Sequence, residues 1–224
     1  MIFARWRARR ASRAVIEQIL GEIVAASRRP ALYAALQAPD RVDGRFELLT
    51  LHAGLVLRRL KALGGLADAM AQELVNRLFL HFDDTLREMG HSDIGVSKRL
   101  KAMGRAFYGR STAYAAALDD GSPARLAAAL ARNVYGAAGP ASAPGAGALA
   151  SYVASLDAAL AAIPMEEFAT GRFRFPSGSI AAGGDHDCGS AIVSRRPHRR
   201  ASEGRADGDD RGEPRGEGGA GQAL

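Results

Sequence analysis

HFDDTLREMGHSDIGVSKRLKAMGRAFYGR, residues 81–110, decides how this chain is read. Its first part ends a helix at Met89-Gly90, glycine being the residue that most readily adopts the left-handed conformation beyond a helix C-terminus. A polar turn from His91 to Gly95 reverses the chain, and Asp93 and Ser97 each offer a side-chain oxygen to first-turn N–H groups. The next helix, expected over 97–109, buries Leu100, Met103 and Phe107. It carries Lys98, Lys101 and Arg105 on one flank, with Arg99 and Arg110 on the other side. Five cations with no acid among them, closed by Phe107-Tyr108-Gly109-Arg110, exceed what solubility requires of a helix face. The stretch has no nucleophile–base pair, metal cluster or phosphate loop. It reads as a contact surface for an acidic or phosphate-bearing partner.

The neighbouring segments are helical as well. Residues 66–89 follow Gly64-Gly65 and carry one apolar stripe from Ala67 through Leu74, Leu78 and Phe82 to Met89. Glu73–Arg77 and Asp83–Arg87 stand four apart on the opposite face, in the orientation that supports a helix. Residues 45–63, RFELLTLHAGLVLRRLKAL, make the most apolar helix, with a narrow polar strip of Glu47, Thr50, Gly54, Arg58 and Lys61. His52 and Arg59 interrupt the apolar arc. Two readings fit them: a satisfied core histidine beside an arginine that reaches out to solvent, or the polar floor of an apolar binding groove.

Residues 1–29 read as one helix through Val15, Ile16, Ile19, Leu20, Ile23 and Val24. Ahead of these, Arg5, Arg7, Arg9, Arg10 and Arg13 surround Trp6, either as a solvated end or as a segment resting on an anionic membrane or on RNA. Pro30 stops that helix and opens a short one to Leu36. Beyond Arg110, a short helix is expected over 111–118. Ser122-Pro123 then supplies a cap and a first-position proline for a helix over 123–134. A Gly/Pro/Ala linker spans 136–147, and Leu149, Tyr152, Val153, Leu156, Leu160 and Ile163 mark a last amphipathic helix. The RFRFP segment, 172–176, alternates polar and apolar but has no second strand to pair with, so it is expected as an extended strap on the helices.

The fold class is therefore all-α: a single helical bundle-like domain over 30–176, preceded by the basic helix 1–29. Residues 177–224 are rich in Gly, Arg and Asp, with too little apolar content to repay ordering, and are expected to be a disordered tail. At 224 residues and 47% hydrophobic content the chain can bury one substantial core. Its net charge is +6, and arginine supplies 27 of the 30 cations, as expected of a GC-rich coding sequence, so the excess is a weak argument for nucleic-acid recognition. One cysteine, Cys188, excludes an internal disulfide and fits a reducing compartment. No apolar run approaches the roughly 18 residues of a membrane span. The N-terminus lacks the apolar core of a secretory signal, so a cytoplasmic location is expected. Neither His81 with Asp84 nor the Asp185–Cys188 cluster makes a convincing metal site, and no catalytic set stands at useful spacing. No enzyme activity and no cofactor are expected.

RFELLTLHAGLVLRRL, QELVNRLFLHFDDTLREMG, DIGVSKRLKAMGRAFYGR and ALARNVYG together resemble the ubiquinol–cytochrome c chaperone family, over about residues 30–176. The Asp93-Ile94-Gly95-Val96 turn, Lys98, Lys101 and the Phe107–Arg110 end are the most distinctive parts. The basic N-terminus and the long tail depart from the pattern. The resemblance implies an all-helical chaperone for assembly of the cytochrome bc1 complex. Such a protein holds newly made cytochrome b, works near the ribosome, and sits in the cytoplasm or peripherally at the inner membrane (the matrix side in a eukaryote). In this chain the client is expected in an apolar groove along helices 45–63 and 66–89, flanked by basic residues. On that basis His52, Arg59, Asp93, Gly95, Lys98, Lys101, Arg105, Tyr108 and Arg110 are the candidate partner-binding residues. The alternative is an RNA- or ribosome-binding helical module; DNA is not expected as a partner.

Overall fold

The computed structural model describes residues 2–177, with side chains from Arg13 onward. Its elements are α1 (Ile2–Ser27), α2 (Pro30–Ala34), α3 (Val42–Leu63), α4 (Leu66–Glu88), α5 (Asp93–Asp119) and α6 (Pro123–Asn133). A single 3-10 turn (Pro140–Ser142), α7 (Ala146–Ala161) and α8 (Met165–Ala169) complete it. The described residues contain no strand, in agreement with the all-α expectation. The expected tail, 177–224, lies outside the described residues apart from Ser177.

The apolar stripes explain the arrangement. α3 has the widest apolar arc and sits at the centre, against α1, α4, α5 and α7, while α6 packs between α5 and α7. The core joins Ile19 and Ile23 of α1, Leu48, Val56 and Leu60 of α3, Leu74 and Leu78 of α4, and Tyr152, Val153 and Leu156 of α7. α1 thus belongs to the same core as the helices after it. Burying one such side chain contributes about 1.5–3 kcal/mol, so removing water from α3 on four sides drives the assembly.

Three local expectations need correction, and one short helix is additional. α5 runs unbroken through the join expected between 109 and 111, because Gly109 keeps helical backbone and Ser111 packs against Gly54 of α3. The N-cap of α5 is Ser92, whose Oγ accepts from the Gly95 N–H; Asp93 is the first helical residue and Ser97 lies inside the helix. Arg77 meets Glu17 of α1 rather than Glu73, whereas Arg87 does pair with Asp83 at 2.7 Å. The short α8 precedes the strap, and its Phe168 stacks on Phe173 with ring centroids 4.7 Å apart.

The strap 172–176 does lie extended along the bundle. Phe173 and Phe175 are buried. The Gln18 amide donates to the Phe173 carbonyl at 2.5 Å, and the Phe175 N–H donates to Glu22 Oε2 at 3.0 Å.

The linker before α7 is held just as closely. Tyr135 donates its hydroxyl to the Leu36 carbonyl at 2.5 Å, and a Cβ on Gly145 would stand 2.0 Å from that same oxygen. Gly145→Ala should therefore destabilise the protein by about 2–4 kcal/mol, through overpacking and loss of the Tyr135 bond. Urea denaturation of the variant beside the wild type measures this.

Candidate functional site

The polar groups of α3 are engaged inside the bundle. His52 is fully buried; its Nδ1–H donates to the Leu48 carbonyl at 2.7 Å, which leaves Nε2 to accept from the Tyr152 hydroxyl at 3.0 Å. The Phe175 ring packs over it, with centroids 5.3 Å apart. Arg59 reaches the C-terminal end of α7 and donates from Nε and Nη2 to the Ile163 carbonyl, at 3.1 and 2.8 Å. Both residues therefore hold α7 and the strap to α3. The apolar arc around them is covered by α1 and α7, so no open apolar groove runs along α3 there.

The polar strip of α3 is turned onto α5 except at its end, where Lys61 is exposed. Glu47 and Thr50 are buried, and Gly54 faces Ser111. Arg58 bridges Asp119 of α5 at 2.7 Å and Asp157 of α7 at 3.0 Å. Arg110 Nε lies 2.5 Å from Glu47 Oε2, with its guanidinium 5.8 Å from the centre of the Phe46 ring. That contact is close enough for strong attraction yet too bent for a hydrogen bond, since both atoms lack a hydrogen-bond partner. Thr50 Oγ1, Ser111 Oγ and the Tyr114 hydroxyl are likewise buried without one. Asn133 lies near enough to Tyr114 to temper its raised pKa without making a well-aligned bond.

One face of α5 is exposed. Lys98, Lys101 and Arg105 point to solvent and have no ion-pair partner among the described residues, whereas eight arginines elsewhere each meet a carboxylate. Tyr108 is 57% exposed and packs edge-on against the buried Phe107. Asp93, Ile94, Ser97, Lys98 and Lys101 line a shallow open depression at the start of the helix. Asp93 is paired with Arg87, and Gly95 sits under the Ser92 cap, where a Cβ would come within 3.3 Å of Oγ.

Of the nine candidate residues, the structure brings Asp93, Gly95, Lys98, Lys101, Arg105 and Tyr108 together on the outer side of α5. It places His52 in the interior, half-buries Arg59 against the end of α7 and turns Arg110 inward. Sequence reasoning had Ile94 only as part of the turn, yet this side chain is 85% exposed. Its spacing of four from Lys98 was the available signal.

The described residues thus define an all-α helical bundle that exposes a cationic face on α5. The chain matches the family model described as ubiquinol-cytochrome C chaperone over residues 34–175, and it belongs to that family. It is also similar to the crystal structure of the Cbp3 homolog from Brucella abortus, at 39% identity and a TM-score of 0.69, covering 79% of this chain and 97% of that one. No curated protein matched the chain.

Two buried groups oppose each other in acid. Burial drives the His52 imidazole down to about 4, against the Leu48 bond and with the help of the Arg29 charge. Burial likewise lifts the Glu47 carboxyl to about 7, against the pull of Arg110 and with a push from Asp43. As pH falls through 6.5 towards 4, the unfolded chain takes up a proton at His52 that the folded one refuses, and stability is lost. As pH falls from 7 to 4.5, the folded chain takes up a proton at Glu47 before the unfolded one does, and stability is gained. Each effect amounts to about 3 kcal/mol at most, so the two largely cancel. Glu47→Gln should therefore turn a shallow dependence into a steep loss of stability between pH 7 and pH 5, readable by denaturant titration at both values.

Proposed function

We propose that this protein is an assembly chaperone of the cytochrome bc1 complex and holds newly made cytochrome b through the outer face of α5. Membership of the ubiquinol–cytochrome c chaperone family supports the process. The observation that carries the site is the trio Lys98, Lys101 and Arg105, three exposed cations without an ion-pair partner among the described residues, gathered on one face of a single helix. Client contact on the surface of α5 is preferred to an apolar groove along α3 and α4, since α1 and α7 pack on the apolar arc of α3.

The role needs no reaction and no cofactor. No helix among the described residues is long and apolar enough to cross a membrane. Peripheral contact with the inner membrane on its cytoplasmic side, through Trp6 and its neighbouring arginines, is part of the same reading. The same cations favour a second one, contact with ribosomal RNA, in which binding weakens steeply with salt as phosphates regain their counterions.

A strain lacking the gene should lose most of its cytochrome b haem absorbance. Wild type should restore it, and a Lys98→Glu/Lys101→Glu/Arg105→Glu variant that still folds should not. Normal bc1 content in the deletion strain would overturn the chaperone reading; full rescue by the variant would overturn the site.

A further inference from the structure

The exposed residues of α5 follow a rule beyond their charge. Ile94, Lys98, Lys101, Arg105 and Tyr108 succeed one another at spacings of four, three, four and three, the heptad spacing of a helix–helix seam. They fall within an arc of about 80° and span about 21 Å along the axis. All five are exposed, although a heptad stripe ordinarily faces a neighbouring helix. Cations occupy the middle of the seam and apolar side chains its two ends.

A second observation comes from Gly109, which flanks this stripe. It lies well inside a continuous helix, where glycine costs stability relative to alanine, and its backbone is ordinary helix. A Cβ there would meet nothing within 4 Å, whereas one on Gly104 would touch the Phe79 ring at 3.5 Å. Packing within the bundle therefore gives no reason for a glycine at 109. Gly21 of α1 is equally open, but Gly109 borders the exposed stripe, where a missing side chain leaves room for close approach from outside. Ser97 and Ala102 keep the other margins of the stripe equally low.

We propose that the Ile94–Lys98–Lys101–Arg105–Tyr108 seam docks an acidic amphipathic helix of a partner polypeptide, side by side with α5 in heptad register. This rests on the reading of α5 as the docking face and adds the chemistry of its partner. The matching helix carries Glu or Asp opposite Lys98, Lys101 and Arg105, with an apolar residue at each end for Ile94 and Tyr108. Gly109 lets its backbone come close. A bilayer fits less well, since a helix lying in a membrane interface has a continuous apolar face with cations at its margins, and here the order is reversed. RNA fits less well too: three cations neutralise few phosphates, and the apolar ends would go unused.

The test uses the full chain and a synthetic helical peptide of about four turns, with Glu at the central heptad positions and Leu at both ends. Its scrambled form and a Lys-for-Glu form serve as controls. The Glu peptide should bind about tenfold tighter than the scramble. Lys98→Glu/Lys101→Glu should abolish that binding and make the Lys-for-Glu peptide the better ligand. Gly109→Leu should raise the melting temperature, because the site is open and helical, yet weaken the peptide by about tenfold.

Equal binding of scramble and Glu peptide, an unmoved affinity in Gly109→Leu, or failure of the charge exchange would each overturn the proposal. So would binding of phosphatidylglycerol vesicles or an RNA hairpin through the same lysines while the Glu peptide fails to compete. Should peptide docking fail while Lys98→Glu/Lys101→Glu/Arg105→Glu still lowers cytochrome b in cells, the chaperone reading stands and only the helical partner is wrong.

Discussion

A helix packed against four others has little room for a wet face, yet α3 carries a narrow polar strip and, within its apolar arc, His52 and Arg59. The bundle is built to meet that constraint. Glu47 turns to Arg110 on α5, Arg58 to Asp119 and Asp157, His52 to Tyr152 on α7, and Arg59 to the carbonyl of Ile163 where α7 ends. Each contact fixes the position of an outer helix relative to the centre. Desolvating any one of these groups without its partner would cost more than the contact itself contributes.

Arg58, Arg77 and Arg110 hold helices together, whereas one group of cations does not. Exposed cations without an ion pair among the described residues occur elsewhere as well, at Arg28, Arg41, Lys61, Arg99 and Arg132, but Lys98, Lys101 and Arg105 share a single face of α5. That helix is also unequal from side to side. Its inner face includes Phe107 and Tyr114, both buried, and the outer one retains Ile94, Tyr108 and the open Gly109. The inner seam with α3 is imperfect, with Thr50, Ser111 and Tyr114 hydroxyls unpartnered, so α5 is held by shape and ion pairs more than by hydrogen bonds.

Helix positions were legible because 3.6-residue periodicity and punctuation act locally: Gly64-Gly65, Gly90 and Ser122-Pro123 each end or begin an element where the chain reads that way. The family was legible too, because its motifs are contiguous strings. The strap's burial could be anticipated from Phe173 and Phe175 having no strand to pair with. The join expected after Gly109 could not be judged, since a glycine breaks a helix only when its surroundings permit, and Ser111 is fastened against Gly54.

By itself, then, the sequence determined an all-helical chain, its family and a cluster of cations between Lys98 and Arg110, since these follow from residue type and spacing alone. Tertiary structure decided which polar residues of α3 face which neighbours, that Arg110 leaves the cation cluster for Glu47, and that His52 is sealed by Tyr152 and Phe175. The reason is physical: a narrow polar strip on a helix looks the same in sequence whether it meets water or the side chains of another helix. Only the position of α5, set by packing across residues about sixty apart in sequence, tells the two apart.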